Sequence, residues 1–243
     1  MSLLHPDEVE IDDDTIRRLV HRQFPDWDHL ALVPAGHGTD NHMLRLGEDL
    51  VVRLPRKPGT AVDVAKEQAW LPRLAPHLPL AIPEPVAQGR PGDGYPFPWS
   101  VYRWVEGTEL DPDAVENLAR LGRELAGFIR ALQGIDLMGA QRAKPLLSYR
   151  GGSLRDRSRA TSENFAACRC LTALDIDLDK LESIWAAAME LDEPTVPHTW
   201  MHTDIKPSNL LVRDGVLVGV IDFGGLSVGD PTCEHAPPGI FLP

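Results

Sequence analysis

"HTDIKPSNLL", residues 202–211, sets a histidine, an aspartate, a lysine and an asparagine within eight positions, just ahead of an apolar run. The run continues as "NLLVRDGVLVGVIDFGG", residues 209–225, where two strand-like segments flank Arg213-Asp214-Gly215. Asp-Gly between apolar segments is a strong hairpin signal, because tight hairpin turns need positive φ at their central residues. A hairpin returns its two ends to one edge of a sheet. Asp204, Asn209 and Asp222 are therefore expected to gather there, with His202 beside them. Two carboxylates and an amide oxygen are hard ligands that suit a magnesium ion, which keeps positions open for substrate phosphates. A carboxylate left over can orient a hydroxyl and accept its proton. The competing reading is an ordinary polar turn before a strand.

Outward from this hairpin, the chain reads as strands first and helices later. "DDDTIRRLVHRQF" is an expected short helix with an acidic first turn and Ile16, Leu19, Val20 and Phe24 on one side. Three extended pieces follow, "HLALVP", "NHMLRLG" and "DLVVRLP", joined by "AGHGTD" and the hairpin signal "GED". A helix is expected at about 60–75, with Glu67 on the same stripe as Val64, Leu71 and Leu74. A buried carboxylate there wants a cationic partner; a rotated helix would instead turn Glu67 to water. "WSVYRWVEG" is extended. "DPDAVENLARLGRELAGFIRALQ" is the best helix, with Asp111 as its cap and Leu118, Leu121, Leu125, Phe128 and Leu132 on one face. Residues 134–155 read as a loop, followed by helices at about 155–173 and 177–191. The second of these presents Leu178, Leu181, Ile184, Trp185 and Ala188 as its core face. The pattern is α+β, with a natural boundary near residue 106: a sheet-rich 1–105 and a helix-rich 106–243.

The 243 residues are enough for one large domain or two small lobes. A net charge of −12 argues against nucleic acid as a partner, since phosphate backbones require basic surface. It is compatible with a cationic ligand without selecting one. Cys168, Cys170 and Cys233 are an odd set with no second pair to complete a metal site, so they are expected as reduced, structural thiols. The acidic start "MSLLHPDEVEIDDD" is unlike a secretion signal, and no apolar run approaches the ~20 residues of a membrane span. A cytoplasmic protein with no membrane partner is expected; oligomeric state is not legible.

H-x-D-x-x-x-x-N followed by a strand pair and D-F-G resembles the signature of protein-kinase-like phosphotransferases. Both halves occur here at the two ends of one hairpin, with Asp204 and Asp222 18 residues apart. The chain lacks V-A-I-K, a full glycine loop and A-P-E, and "GGLSVGDPTCE" leaves no room for an activation segment. "GTDNHMLRLGEDLVVRLPR", "YRWVEG" and "IDFGGLSVGDP" look instead like the aminoglycoside phosphotransferase family, which includes macrolide and related small-molecule kinases. The resemblance covers about residues 12–233. It implies a bilobal kinase-like fold, with 1–105 as the nucleotide-binding N-lobe and 106–243 as the C-lobe carrying the catalytic loop and metal site. It implies ATP-dependent transfer of the γ-phosphate to a hydroxyl of a small molecule such as an aminoglycoside or macrolide, with ATP and Mg2+ as cofactors. A small-metabolite kinase, or a nucleotide-binding remnant without efficient acceptor phosphorylation, is the alternative.

Residue by residue, the resemblance makes Asp204 the catalytic base and Asn209 and Asp222 the magnesium ligands. Lys206 points toward the transferring phosphate, and His202 braces the loop. Arg53 stands where the family's phosphate-gripping lysine usually is, with Glu67 as its partner. Gly38, in "AGHGTDN", belongs to the loop over the phosphates. Backbone groups of Tyr102, Trp104 and Val105 would meet adenine. Asp230 is expected as a structural brace, and Glu234 stands where many members have an aspartate. Past Glu234 the family pattern stops, and "HAPPGIFLP" is not helical in character. A truncated C-terminus, lacking helices that wall the acceptor pocket, is expected.

Overall fold

A computed structural model describes residues 8–36, 40–146, 150–171 and 175–235. Helix α1, Asp13–Gln23, is capped by Asp12, whose carboxylate accepts from Thr15 N at 2.6 Å. Its apolar residues Ile16, Leu19 and Val20 are all buried. Strands β1 (Leu32–Pro34), β2 (Asn41–Leu46), β3 (Leu50–Pro55), β4 (Pro85–Gly89) and β5 (Trp99–Arg103) form an antiparallel sheet in the order β1-β2-β3-β5-β4. One face of this sheet meets α1: Leu44, Leu46, Val52, Leu54, Trp99 and Val101 pack with Ile16, Leu19 and Val20. Alternation along β3 sends Val51 and Arg53 to the other face, toward α2, Pro58–Leu74.

The remainder is richer in helix. It contains α3 (Leu118–Gly134), α4 (Ser158–Arg169) and α5 (Leu178–Met189). A two-residue strand β6 (Thr108–Glu109) pairs with β8 (Leu210–Arg213), which pairs with β9 (Val216–Val220); β7 (Thr199–Met201) pairs with β10 (Ser227–Gly229). The expected hairpin turn is present, with positive φ at both Asp214 (53°) and Gly215 (70°). The main core joins both parts: Leu71, Leu74, Phe128, Leu132, Trp200, Leu210, Val220 and Phe223 belong to one buried cluster. A mixed architecture with a sheet-rich N-terminal part and a helical remainder is thus observed. Phe128 is fully buried in that shared cluster. Phe128→Ala is expected to cost about 3–5 kcal/mol, measured as a lowered urea midpoint at unchanged slope.

Two expectations need correction. Asp111 caps only a short 3-10 turn, Pro112–Ala114, by accepting from Asp113 N; α3 begins at Leu118 and is capped by Asn117, which accepts from Arg120 N at 2.9 Å. The extended backbone of Val115 separates the two, so Leu118 stands at the exposed start of the helix, at 58% exposure, while Phe128 and Leu132 are buried. On α5, Leu178, Trp185 and Ala188 are partly buried, but Leu181 and Ile184 are exposed. The periodicity correctly gave a helix; burial requires a facing element, and the described residues cover that stripe only in part, leaving Leu181 and Ile184 exposed. One further link joins the two parts of the fold. Ala81 N donates to Val218 O at 3.1 Å and accepts from Val220 N through its carbonyl at 2.9 Å. Gly219 permits this approach, because a Cβ there would lie 2.9 Å from Val105 Cγ1 and 3.3 Å from Ala81 O.

Candidate active site

The hairpin does bring its ends together: Ile221 N donates to Asn209 O at 2.9 Å. Asn209 is buried, and its Nδ2 donates to Asp204 O at 2.8 Å and to Asp204 Oδ2 at 3.0 Å. This fixes the amide, so its oxygen faces away from Asp204. Lys206 Nζ also reaches Asp204 Oδ2, at 2.9 Å. On the other oxygen, Arg150 Nη1 donates to Asp204 Oδ1 at 3.0 Å and to Thr203 O at 2.6 Å. Partial burial pushes the Asp204 pKa up, but the bonds from Lys206 and Arg150 outweigh it, and the carboxyl titrates below its ordinary range.

His202 lies beneath this loop, fully buried. Its Nε2 sits 3.0 Å from Ile221 O, and Asp204 N donates to its Nδ1 at 3.2 Å. Burial lowers its pKa. A neutral ring donating from Nε2 and accepting at Nδ1 satisfies both contacts, so His202 ties the two loops together rather than carrying a proton.

Asp222 has φ 65° and ψ 68°, a left-handed conformation rare outside glycine. Its side chain is 43% exposed, and its Oδ1 accepts from Arg53 Nη2 at 2.8 Å. Arg53 Nη1 donates to both oxygens of Glu67, at 3.0 Å each. Glu67 is 1% exposed, so the orientation that buries its carboxylate is the one adopted. Tyr102 OH donates to the same carboxylate. With its amide oxygen turned to the guanidinium, Asn41 accepts from Arg53 Nη2 at 2.9 Å and Nε at 3.0 Å. Burial alone would depress the Arg53 pKa, but Glu67, Tyr102 and Asp222 reverse this and hold it above its ordinary value. Lys66, next along α2, donates to Gly224 O at 2.5 Å and pairs with Asp63 at 2.8 Å. Adjacent residues of α2 thus reach both sides of the Asp222 turn.

Of the positions expected to meet adenine, one amide is already engaged: Trp104 N donates to Asp49 O at 2.7 Å. The Trp104 amide is therefore not available, and its ring carries the Arg45 guanidinium 4.7 Å from its centroid. Tyr102 lies within β5, its side chain committed to Glu67. Val105 lines a cavity of about 270 Å³ with Ala81, Ile82, Trp104 and Val218. That cavity includes neither Arg53 nor Asp222. Gly38 falls outside the described residues.

The expected brace at Asp230 is also corrected. Its carboxylate accepts from Thr232 N and Thr232 Oγ1, which starts the turn Pro231–His235. The carboxylate that reaches the 202–209 loop is that of Glu234, accepting from Thr203 N at 2.5 Å. Thr203 itself has φ 68°, and its Oγ1 donates to Gly225 O at 2.9 Å. A Cβ on Gly225 would lie 2.9 Å from His202 O, so glycine is required there. Glu234 is 2% exposed, and its Oε2 has no partner among the described residues. Burial pushes its carboxyl up to about 7 from 4.5. A raised folded-state pKa contributes stability that is full below about 4.5 and lost as pH rises through about 7. Glu234→Gln keeps a carbonyl for Thr203 N and removes the charge. It is expected to be more stable than wild type above pH 7, by on the order of 1–3 kcal/mol at pH 8, and to lose that advantage by pH 5. Urea unfolding at the two pH values checks this.

Sequence reasoning missed Arg150, Asn41 and Lys66. Lys66 is next to Glu67 on α2, and Asn41 lies two positions along β2 from Met43, the register partner of Arg53, a signal that was present. Arg150 sits outside any motif.

Asp204, an asparagine five residues on and a D-F-G aspartate tied through arginine to a helix glutamate fit a kinase-like phosphotransferase architecture. Residues 31–236 match the phosphotransferase enzyme family, and the chain belongs to it. Among solved structures it is similar to wild-type aminoglycoside 2'-phosphotransferase-IIIa in its GDP complex, at 26% identity and TM-score 0.77, covering 93% of this chain and 77% of that one. It shares the fold of a streptomycin–ATP ternary complex of APH(2")-IIa, at 20% identity and TM-score 0.66, covering 93% and 74%. It also shares the fold of the macrolide 2'-phosphotransferase MphH from Brachybacterium faecium, at 24% identity and TM-score 0.64, covering 94% and 79%. No curated protein sequence matches it. No described helix is long and apolar enough to cross a membrane.

Proposed function

We propose that the chain transfers the γ-phosphate of ATP, with Mg2+, to a hydroxyl of a small molecule. The carrying observation is the continuous set Glu67–Arg53–Asp222 alongside Asp204 and Asn209. The nucleotide is suggested by the GDP and ATP complexes among the similar solved structures, and the aminoglycoside or macrolide acceptor by the names those structures carry.

Asn209 and Asp222 are the residues that would hold magnesium. They offer one amide oxygen and one carboxylate, and among the described residues no cluster of three or more His, Cys, Asp or Glu side chains forms a complete metal site. That donor set fits an ion which completes its shell with phosphate oxygens and water. When bound, the ion neutralises charge on the phosphates. Arg53, held by Glu67 and Asn41, presents its guanidinium beside Asp222 for the α- and β-phosphates. Lys206, paired with Asp204 Oδ2 at 2.9 Å, would face the incoming phosphoryl group. Asp204 Oδ1 accepts the acceptor's proton as its oxygen bonds to the γ-phosphorus and the bond to the β–γ bridging oxygen breaks, releasing ADP.

Incubating the protein with labelled ATP, Mg2+ and a panel of aminoglycosides, macrolides and small alcohols tests the proposal. A phosphorylated acceptor is expected. Nucleotide binding without product across the panel would favour the remnant reading instead.

A further inference from the structure

The turn after Asp222 is held through its carbonyls. Leu226 N donates to Phe223 O at 2.9 Å, Lys66 Nζ to Gly224 O at 2.5 Å and Thr203 Oγ1 to Gly225 O at 2.9 Å. The first bond closes the turn on itself, and the other two suspend it between α2 and the 202–209 loop. Phe223, fully buried in the main core, anchors it as well. The Lys66 side chain is only 6% exposed. A buried ammonium is costly unless its protons are taken up; here Asp63, at 2.8 Å, and the Gly224 carbonyl take them. A Cβ built on Gly224 would stand 3.4 Å from Asp63 Oδ2, 3.5 Å from Asp222 Oδ1 and 3.8 Å from Arg53 Nη2, so these groups share one small polar space.

The two contacts that α2 and β3 make with this turn differ in kind. Arg53 grips the Asp222 carboxylate and occupies Oδ1, an atom that a cation would need. Lys66 grips the backbone two residues on. Asp222, at φ 65°, is in a conformation that persists only where its surroundings enforce it. Resting on the proposed phosphotransfer and its magnesium ligands, we propose that Lys66 is a positioning residue for Asp222. It fixes the turn that aims the carboxylate, and it leaves that carboxylate available to a cation when the Arg53 guanidinium turns to the phosphates. Adjacent residues of α2 then divide the work: Glu67 orients the phosphate-binding arginine and Lys66 the metal-binding aspartate.

Thermal unfolding with ADP, and in parallel GDP, over a Mg2+ titration tests this without turnover. Wild type should gain stability as Mg2+ rises. Lys66→Met keeps the side-chain length and helix propensity and removes the donor. It is expected to shift the Mg2+ midpoint upward about tenfold, the scale on which groups that orient a metal ligand act. Lys66→Arg should restore most of the loss. With an accepted hydroxyl compound, kcat should fall in Lys66→Met and recover in part at high Mg2+, at unchanged acceptor KM. In an Asp222→Asn background the same substitution should move the midpoint little further, because the carboxylate being aimed is already gone. A merely supporting lysine would lower the melting temperature without nucleotide and leave the midpoint in place. Should Lys66→Met not fold, Lys66→Gln, one atom shorter and uncharged, is titrated instead. An unmoved midpoint in the folded variant overturns this inference alone. Wild type with no Mg2+-dependent gain from either nucleotide overturns the metal reading, and this inference with it. A shifted midpoint with no transfer across the acceptor panel overturns the phosphotransfer reading and keeps Lys66 as a positioning residue of a nucleotide site.

Discussion

Asp204→Asn is expected to lower kcat by about 10³-fold, within the 10²–10⁴ range typical of a positioned general base. The substitution is nearly isosteric and sits at a partly exposed position, so the fold should survive. The loss comes from chemistry. An amide cannot take the acceptor's proton. Its NH2 would also face either Arg150 or the Lys206–Asn209 pair, all donors. The KM for ATP should change little, because in the proposed reaction Asp204 serves the acceptor and not the nucleotide. Wild-type activity should stay flat down through the ordinary carboxylate range and fall only below it, since Lys206 and Arg150 hold the Asp204 carboxyl low. Steady-state kinetics from pH 3 to 8 measure both effects. An unchanged kcat in the variant would remove Asp204 as the base.

Asp222→Asn is expected to cost about 10²–10³-fold in kcat at fixed Mg2+, as for other lost electrostatic stabilisers of a transition state. Two effects add. The substitution weakens the carboxylate donor that would hold the ion, and it deprives Arg53 of a charged partner at 2.8 Å. Part of the loss should return at high Mg2+, with the midpoint of the Mg2+ titration shifted upward. An unchanged midpoint would mean that Asp222 does not bind the metal, whatever happens to the rate.

The fold was legible where local chemistry and pattern agreed. The D-G turn, the β2–β3 hairpin and the apolar face of α1 each depend on residues close in sequence. The gathering of Asp204, Asn209 and Asp222 followed from the hairpin. What was not legible depends on distant partners. Arg150 lies 54 residues from Asp204, in a segment with no periodicity, so nothing local marks it. The exposure of Ile184 is decided by what faces α5, which a helical repeat cannot state. Asp111 and Asn117 are both good caps with apolar residues downstream, and the choice between them rests on the extended backbone at Val115. The Trp104 amide was lost to Asp49, a partner 55 residues earlier in the chain.

The pairing of Ala81 with Val218 and Val220 bears on how this molecule can breathe. Besides the shared apolar core and the Arg53–Asp222 and Lys66–Gly224 contacts, the sheet-rich part is joined to the remainder through the chain at 103–108 and through this backbone pair. Both links adjoin the cavity lined by Ala81, Trp104, Val105 and Val218. Two attachments on one side act like the knuckles of a door. The least costly movement is rotation about the line through them, since sliding or twisting would break amide–carbonyl bonds. The opposite edge, where Arg53 meets Asp222, then swings widest. A nucleotide would enter and leave there, and each opening would begin by parting that ion pair.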